Sequence, residues 1–128
     1  MELRVRPEVL AVCRLPADAP WPSPVADGSL FSASVSDSEL SLVCPEDAAP
    51  PHARTEPGWR ALSVVGPLAF SLVGVVASLT GPLADAGVSV FVLSTFDTDH
   101  LLVRSDDLEQ AIAVLRSSGH TIAPGPPR

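Results

Sequence analysis

The fold of this chain is determined by residues 59–103, which read WRALSVVGPLAFSLVGVVASLTGPLADAGVSVFVLSTFDTDHLLV. An apolar run at 60–65 leads into Gly-Pro, and apolar residues at three- and four-residue spacing then predict a helix over 71–86. Two further apolar runs flank the polar cluster 94–99. The stretch therefore predicts a strand, a helix and a pair of strands joined by a polar turn.

The predicted helix over 71–86 has one apolar face. Pro82 lies inside it and removes one helical hydrogen bond, which predicts a kink. Gly87 is placed to end the helix in a left-handed conformation. The apolar positions that predict burial are Leu72, Val75, Val76, Leu79, Leu83 and Ala86.

A second helix is predicted over 106–118, between strands at 100–103 and 120–122. Ser105 can cap it, and acidic residues suit its positive end. Its buried face would be Leu108, Ala111, Ile112 and Leu115. The order β-α-β-β-α-β predicts an α+β, ferredoxin-like fold, in which two helices cover one face of a four-stranded antiparallel sheet.

The first half of the chain contains strand patterns and proline-rich connections. Apolar runs at 9–15, 30–35 and 39–44 predict strands, and the small polar residues between the last two predict a hairpin. Prolines exclude helices over 17–28 and 48–58. The predicted organisation is an N-terminal unit at 1–50, a linker at 51–58, a C-terminal domain at 59–123 and a flexible tail at 124–128.

Composition excludes several classes of function. The net charge is −7 and no residue is lysine, so we expect no binding to nucleic acid. Every apolar run is interrupted before it reaches the length of a membrane span, and the first ten residues lack the apolar core of a signal peptide. We therefore expect a cytoplasmic protein without a membrane partner. Cys13 and Cys44 lie far apart, each inside an apolar run, which predicts buried reduced thiols in preference to a disulfide and agrees with that compartment.

The sequence over 59–122 resembles the ACT domain, the amino-acid-sensing module of many regulated biosynthetic enzymes. The resemblance rests on the helix start FSLVG (70–74), the Gly-Val turn at 87–88 and the motif STF (94–96) followed by Thr98-Asp99. It extends to the tandem-ACT group, and LFSASVSDSELSLVC (30–44) is similar to that group's abbreviated first unit. The resemblance implies two divergent ACT units in one chain.

A pocket for a free amino acid is the expected functional site. Amide groups at the helix start can bind a carboxylate, and Asp99 can accept hydrogen bonds from an ammonium group. Purely structural roles stay open for these residues. Ser71 can cap the helix and Gly74 can be a packing residue, while Phe70 and Phe96 can be core or pocket wall. Asp97, Thr98 and Asp99 can stabilise the turn through bonds from side chain to backbone. The predicted ligand-binding residues are Phe70, Ser71, Leu72, Val73, Gly74, Val75, Thr95, Phe96 and Asp99.

The resemblance also implies that a site forms where two ACT units meet, with Val88, Ser89 and Val90 of a partner lining one wall. The run 88–93 is apolar on both faces, so either the first half of the chain or a second chain must cover it. We predict a homodimer. Arginine-sensing members of the tandem-ACT group have an acidic residue at the helix start, where this chain has Ser71-Leu72-Val73, so a smaller or less charged amino acid fits better.

Catalysis, metals and cofactors are not indicated. His52, His100 and His120 lie in no context typical of a triad, and Asp97 with Asp99 lacks the further oxygen ligands that a cation needs. We predict a non-catalytic amino-acid sensor that signals to an unidentified protein target. The alternative is a structural or protein-interaction module that has kept the fold and lost its ligand.

Overall fold

A computed structural model of the chain describes residues 1–24 and 27–123. The chain divides into two compact units. The N-terminal unit comprises Glu8–Trp59, and the C-terminal unit comprises Met1–Pro7 together with the chain from Arg60 onward. The predicted tail at 124–128 lies outside the described residues. The predicted α+β, ferredoxin-like fold is confirmed, and the unit boundaries differ from the predicted ones.

The N-terminal unit contains the strands β2 (Leu10–Leu15), β3 (Ser32–Val35) and β4 (Leu40–Pro45) and the first part of β5 (Arg54–Val64). They form an antiparallel sheet in the order β3-β4-β2-β5. The predicted hairpin between β3 and β4 closes through the amide of Ser36, which donates to the carbonyl of Glu39 at 2.9 Å. Where a complete ACT unit would have its first helix, the described residues between β2 and β3 form none.

The predicted linker at 51–58 was wrong, because β5 begins at Arg54 and runs to Val64. Pro57 and Gly58 lie at a bulge, where the pairing between β2 and β5 shifts from Leu10↔Trp59 to Val12↔Glu56. A bulge leaves a residue outside the ladder, which lets a strand accommodate a proline that cannot donate.

The C-terminal unit contains the strands and helices of the predicted βαββαβ order. After the last part of β5 come α1 (Val75–Asp85), β6 (Val90–Ser94), β7 (Asp99–Arg104), α2 (Leu108–Ser117) and β8 (Thr121–Ala123). A short 3-10 turn at Ser105–Asp107 precedes α2, whose cap is Asp107. The prediction that Ser105 caps the helix was therefore wrong by two positions. Neither α1 nor α2 combines the length and hydropathy needed to cross a bilayer.

An additional strand, β1 (Glu2–Val5), joins the sheet of the C-terminal unit. It pairs antiparallel with β5 and parallel with β8, so it separates those two strands. The described sheet of this unit therefore has five strands, in the order β8-β1-β5-β7-β6, and the prediction of a four-stranded antiparallel sheet was wrong on this point.

The core of the C-terminal unit lies between the sheet and the two helices. Leu79 and Leu83 of α1 and Ala111 and Leu115 of α2 are fully buried against it, as their spacing predicts. Leu72 was predicted on the same buried face but is 52% exposed, because the helix begins after it.

Candidate ligand-binding cleft

A cleft of about 600 Å³ opens in the C-terminal unit where the start of α1 faces the turn between β6 and β7. The helix side contributes apolar groups, and the turn contributes hydroxyls and two carboxylates. The lining residues are Leu68, Ala69, Phe70, Leu72, Gly74, Val75, Val76, Ala77, Thr80, Thr95, Phe96, Asp97, Thr98 and Asp99.

The helix start differs from the prediction. Gly74 is the cap of α1, with a φ of 75° that side chains with a Cβ rarely adopt, and no side chain caps this end. Ser71 lies in a turn before the helix, so the prediction that it caps the helix was wrong. The first helical hydrogen bond runs from the amide of Ser78 to the carbonyl of Gly74 at 2.9 Å. The amides of 75–77 thus have no acceptor within the helix, and all three residues line the cleft.

The facing turn is closed by its own hydrogen bonds. The Thr95 amide donates to the Thr98 carbonyl at 2.8 Å, and the Thr95 hydroxyl donates to the same carbonyl at 3.3 Å. The Thr98 hydroxyl donates to the Val64 carbonyl of β5 at 2.6 Å, which ties the turn to the sheet. Thr95 and Thr98 therefore set the shape of the cleft wall.

The two sides of the cleft are joined next to Gly66. The amide of Leu68 donates to the carbonyl of Asp97 at 2.7 Å. A Cβ on Gly66 would lie 2.9 Å from that carbonyl oxygen and 3.2 Å from the Thr98 Cβ. Only glycine allows the segment before α1 to approach the turn this closely.

Asp99 is the half-buried carboxylate of the cleft. The Ser94 hydroxyl donates to its Oδ1 at 2.6 Å, which fixes the orientation of the carboxylate. Within the described chain, Oδ2 has no hydrogen-bond partner. A carboxylate that is held at one oxygen and free at the other can accept a hydrogen bond from a cationic ligand group.

Two aromatic rings form an exposed pair at the cleft. The rings of Phe70 and Phe96 lie 4.7 Å apart between centroids, with an interplanar angle of 71°. Phe70 is 77% exposed and Phe96 is 79% exposed. Both rings are therefore cleft wall, and the alternative that they belong to the core was wrong.

Most of the predicted site residues come together. Phe70, Leu72, Gly74, Val75, Thr95, Phe96 and Asp99 all line the cleft. Ser71 and Val73 do not, although they neighbour residues that do. Of the predicted partner wall, Val88 is in the core with 5% exposure, Ser89 is exposed and Val90 is partly buried.

The prediction omitted several lining residues, including Leu68, Val76, Ala77 and Thr80. Three of these belong to α1 and follow from the true position of its first turn. Gly74 was the sequence signal that could have placed the helix start correctly, because glycine readily adopts the left-handed conformation found there.

The histidines and cysteines lie away from the cleft lining. Nδ1 of the buried His100 lies 2.6 Å from the Ser63 hydroxyl oxygen. Cys13 and Cys44 are free, buried thiols on the adjacent strands β2 and β4. Burial, and next the neighbouring Cys13, raise the pKa of Cys44 to about 12. Across residues 1–24 and 27–123, no three or more His, Cys, Asp or Glu side chains are grouped to hold a metal ion.

The family of this chain is defined by its match to a family model. The ACT domain model matches residues 54–117, which is half of the chain, and a second model, of an N-terminal domain, matches residues 8–52. The chain therefore belongs to the ACT domain family, as its resemblance predicts.

Individual relatives match the chain over different lengths. The human protein named cytosolic arginine sensor for mTORC1 subunit 1 is 44% identical over 59 residues, which is 45% of this chain and 18% of that protein. The bovine protein of the same name matches equally. The chain thus covers less than a fifth of these relatives.

Among solved structures, an Agobacterium tumefaciens protein is similar along nearly the whole chain. It is 38% identical with a TM-score of 0.89, and the match covers 98% of this chain and 93% of the other. The regulatory subunit of aspartate kinase from Thermus thermophilus, in its ligand-free form, has a TM-score of 0.63 at 12% identity, covering 91% of this chain and 96% of the other. At that identity the likeness concerns the fold alone.

Proposed function

We propose that this chain is a non-catalytic regulatory protein that binds a small free amino acid in the cleft of its C-terminal ACT unit. The single observation that carries the proposal is that Asp99 lines the same cavity as Val75, Val76 and Ala77, whose amides have no acceptor within the helix. These groups complement the two charged ends of a zwitterion. The name of the human relative, an arginine sensor, supports a sensing role of this kind.

Each end of the ligand has a defined partner in this proposal. The ligand carboxylate accepts hydrogen bonds from the amides of α1, at the positive end of the helix dipole. The ligand ammonium donates to Oδ2 of Asp99, while Ser94 holds Oδ1. The Thr95 and Thr98 hydroxyls act indirectly, because their hydrogen bonds keep the turn in place.

The site is completed, in our proposal, by a second ACT domain in a cytoplasmic homodimer. The cleft is open and the Phe70 and Phe96 rings beside it are exposed, so it needs a further wall to exclude water. β6 pairs with β7 alone among the described strands. Ser89 and Val90 precede or begin this edge strand, where a partner can contact them. A protein target would then bind to the ligand-bound form of the dimer.

A thermal-shift screen against the common amino acids at millimolar concentration tests this function. A ligand that binds the folded state raises the melting temperature by mass action. Asp99→Ala should remove the shift and lower affinity roughly ten- to hundred-fold, because a hydrogen bond to a charged group contributes about 1.5–3 kcal/mol. Asp97→Ala is the matched control, since Asp97 is an exposed residue of the same turn.

The outcome separates the proposal from its alternative. A shift that requires Asp99 and tolerates the Asp97 change supports the sensor. If no amino acid raises the melting temperature of the wild-type chain, a structural or protein-interaction module without a ligand is the better description.

A further inference from the structure

We infer that the amino acid bound in the cleft has a branched aliphatic or aromatic side chain, and that Phe70 and Phe96 select it. This inference rests on the proposed function. It concerns the apolar side chains along the helix side of the cleft, beside the backbone amides that bind the ligand carboxylate in the proposed function. They are Leu68, Ala69, Phe70, Leu72, Val75, Val76 and Ala77, with Phe96 facing them from the turn.

The exposed aromatic pair is the first reason. Two phenylalanine rings with more than three-quarters of their surface exposed present an apolar surface to water beside a concave site. Placing an apolar side chain against them removes this surface from water, as well as the side chain's own. Glycine and alanine lack a side chain large enough to pack against both rings.

The charges of the cleft are the second reason. Its charged lining residues are Asp97 and Asp99, both acidic, so an aspartate or glutamate side chain would be repelled. Asp99 already binds the ligand ammonium in the proposed function. A basic side chain would therefore need a second carboxylate in the cleft. Asp97 is exposed, where solvent screens its charge. The helix side of the cleft offers no carboxylate, and the hydroxyl of its Thr80 donates to the Val76 carbonyl within the helix.

The size of the cleft agrees with this ligand class. A volume of about 600 Å³ lies within the range of ordinary small-molecule sites and leaves room beyond the zwitterion for a large side chain.

Calorimetric titration of the full chain with leucine, phenylalanine, alanine, glycine and lysine tests the inference. Leucine or phenylalanine should bind roughly ten-fold or more tightly than alanine. One additional methylene group on a ligand already changes its affinity for an apolar pocket by about ten-fold or more. Phe70→Ala and Phe96→Ala should each remove most of this preference while the affinity for alanine changes by less than about three-fold. Because both rings are exposed, these variants should fold, which circular dichroism checks.

Val73→Ala serves as the matched control, because Val73 is 91% exposed and lies outside the cleft lining. It should leave the preference unchanged. Tighter binding of lysine than of leucine, or equal binding of alanine and leucine, would overturn the inference and leave the proposed function standing if that binding requires Asp99. Absence of binding by every amino acid would overturn both.

Discussion

At the scale of single residues, close backbone approach sets the geometry of the cleft. The segment before α1 reaches the turn between β6 and β7 because Gly66 has no Cβ. A hydrogen bond from the Thr98 hydroxyl to the Val64 carbonyl holds the same turn in place. Side-chain chemistry at the site therefore depends on residues that do not themselves meet a ligand.

We predict that Gly66→Ala destabilises the chain by ~1–3 kcal/mol, the usual cost of overpacking, because its Cβ would lie 2.9 Å from the Asp97 carbonyl oxygen. Urea unfolding measures this. Gly81→Ala is the control, since a Cβ there meets nothing within 4 Å and alanine favours the helix. Equal stability of the Gly66 variant and the wild type would contradict the packing described for the turn.

A second prediction concerns Cys44, whose pKa is raised by burial and by Cys13 from 9.0 to about 12. The folded state binds the thiol proton more tightly than the unfolded state does. The free energy of unfolding is therefore unaffected by this thiol below pH 9.0 and falls as the pH rises from 9.0 to about 12. We expect thiol reagents at about pH 8 to label the folded chain much more slowly than the urea-unfolded chain. Rapid labelling of Cys44 in the folded chain, assigned with Cys13→Ala, would contradict this.

At the scale of elements, α1 contains a proline and yet continues to Asp85. Pro82 has no N–H for the carbonyl of Ser78, four residues earlier. That carbonyl instead accepts a hydrogen bond from Nε2 of His120, at 3.1 Å. A histidine that follows α2 thus compensates for the proline inside α1.

We therefore predict that His120→Ala costs ~0.5–1.5 kcal/mol in the wild-type background and less in the Pro82→Ala background. With alanine at 82, the helix can supply its own donor to the Ser78 carbonyl. A double-mutant cycle of thermal or urea unfolding measures the coupling. Additive effects of the two changes would show that the histidine does not compensate for the proline.

The elements also show how far the sequence could predict this structure. Apolar spacing located both helices, and the motif 94–99 located the turn and Asp99, because these signals are local. The start of α1 was misplaced by four residues, since the apolar pattern continues through Leu72 although the left-handed Gly74 begins the helix. Pro57 made β5 look like a linker because the bulge that tolerates it depends on the partner strand.

β1 could not be predicted for a similar reason. Glu2–Val5 is a short strand with one fully buried residue, Leu3, so its own pattern is weak. Its place is given by pairing with β5 and β8, which are distant in sequence. Residues such as Val76 and Thr80 were likewise missed in the cleft, because their place depends on where α1 begins.

At the scale of the whole molecule, two units share the strand β5, which contributes Arg54–Trp59 to one and Arg60–Val64 to the other. The open cleft and the edge strand β6 belong to the C-terminal unit. The proposed homodimer would cover both.

We predict that light scattering gives twice the chain mass of 13.3 kDa. Ser89→Arg should shift the molecule toward the monomer, because it adds charge and bulk at the proposed partner wall. Ser117→Arg, on an exposed position of α2, should not. A monomeric wild-type chain at high concentration would contradict the dimer.

In the proposed function, the amides of 75–77 and Asp99 together bind one zwitterion. The most direct measurement is a titration of the ¹⁵N-labelled chain with leucine, phenylalanine and then a mixture of all common amino acids, followed by backbone amide NMR. We predict saturable shifts of the Val75, Val76 and Ala77 resonances together with those of the 94–99 turn, all lost in Asp99→Ala. Resonances that stay unmoved at saturating concentrations, or shifts confined to another surface, would contradict the account.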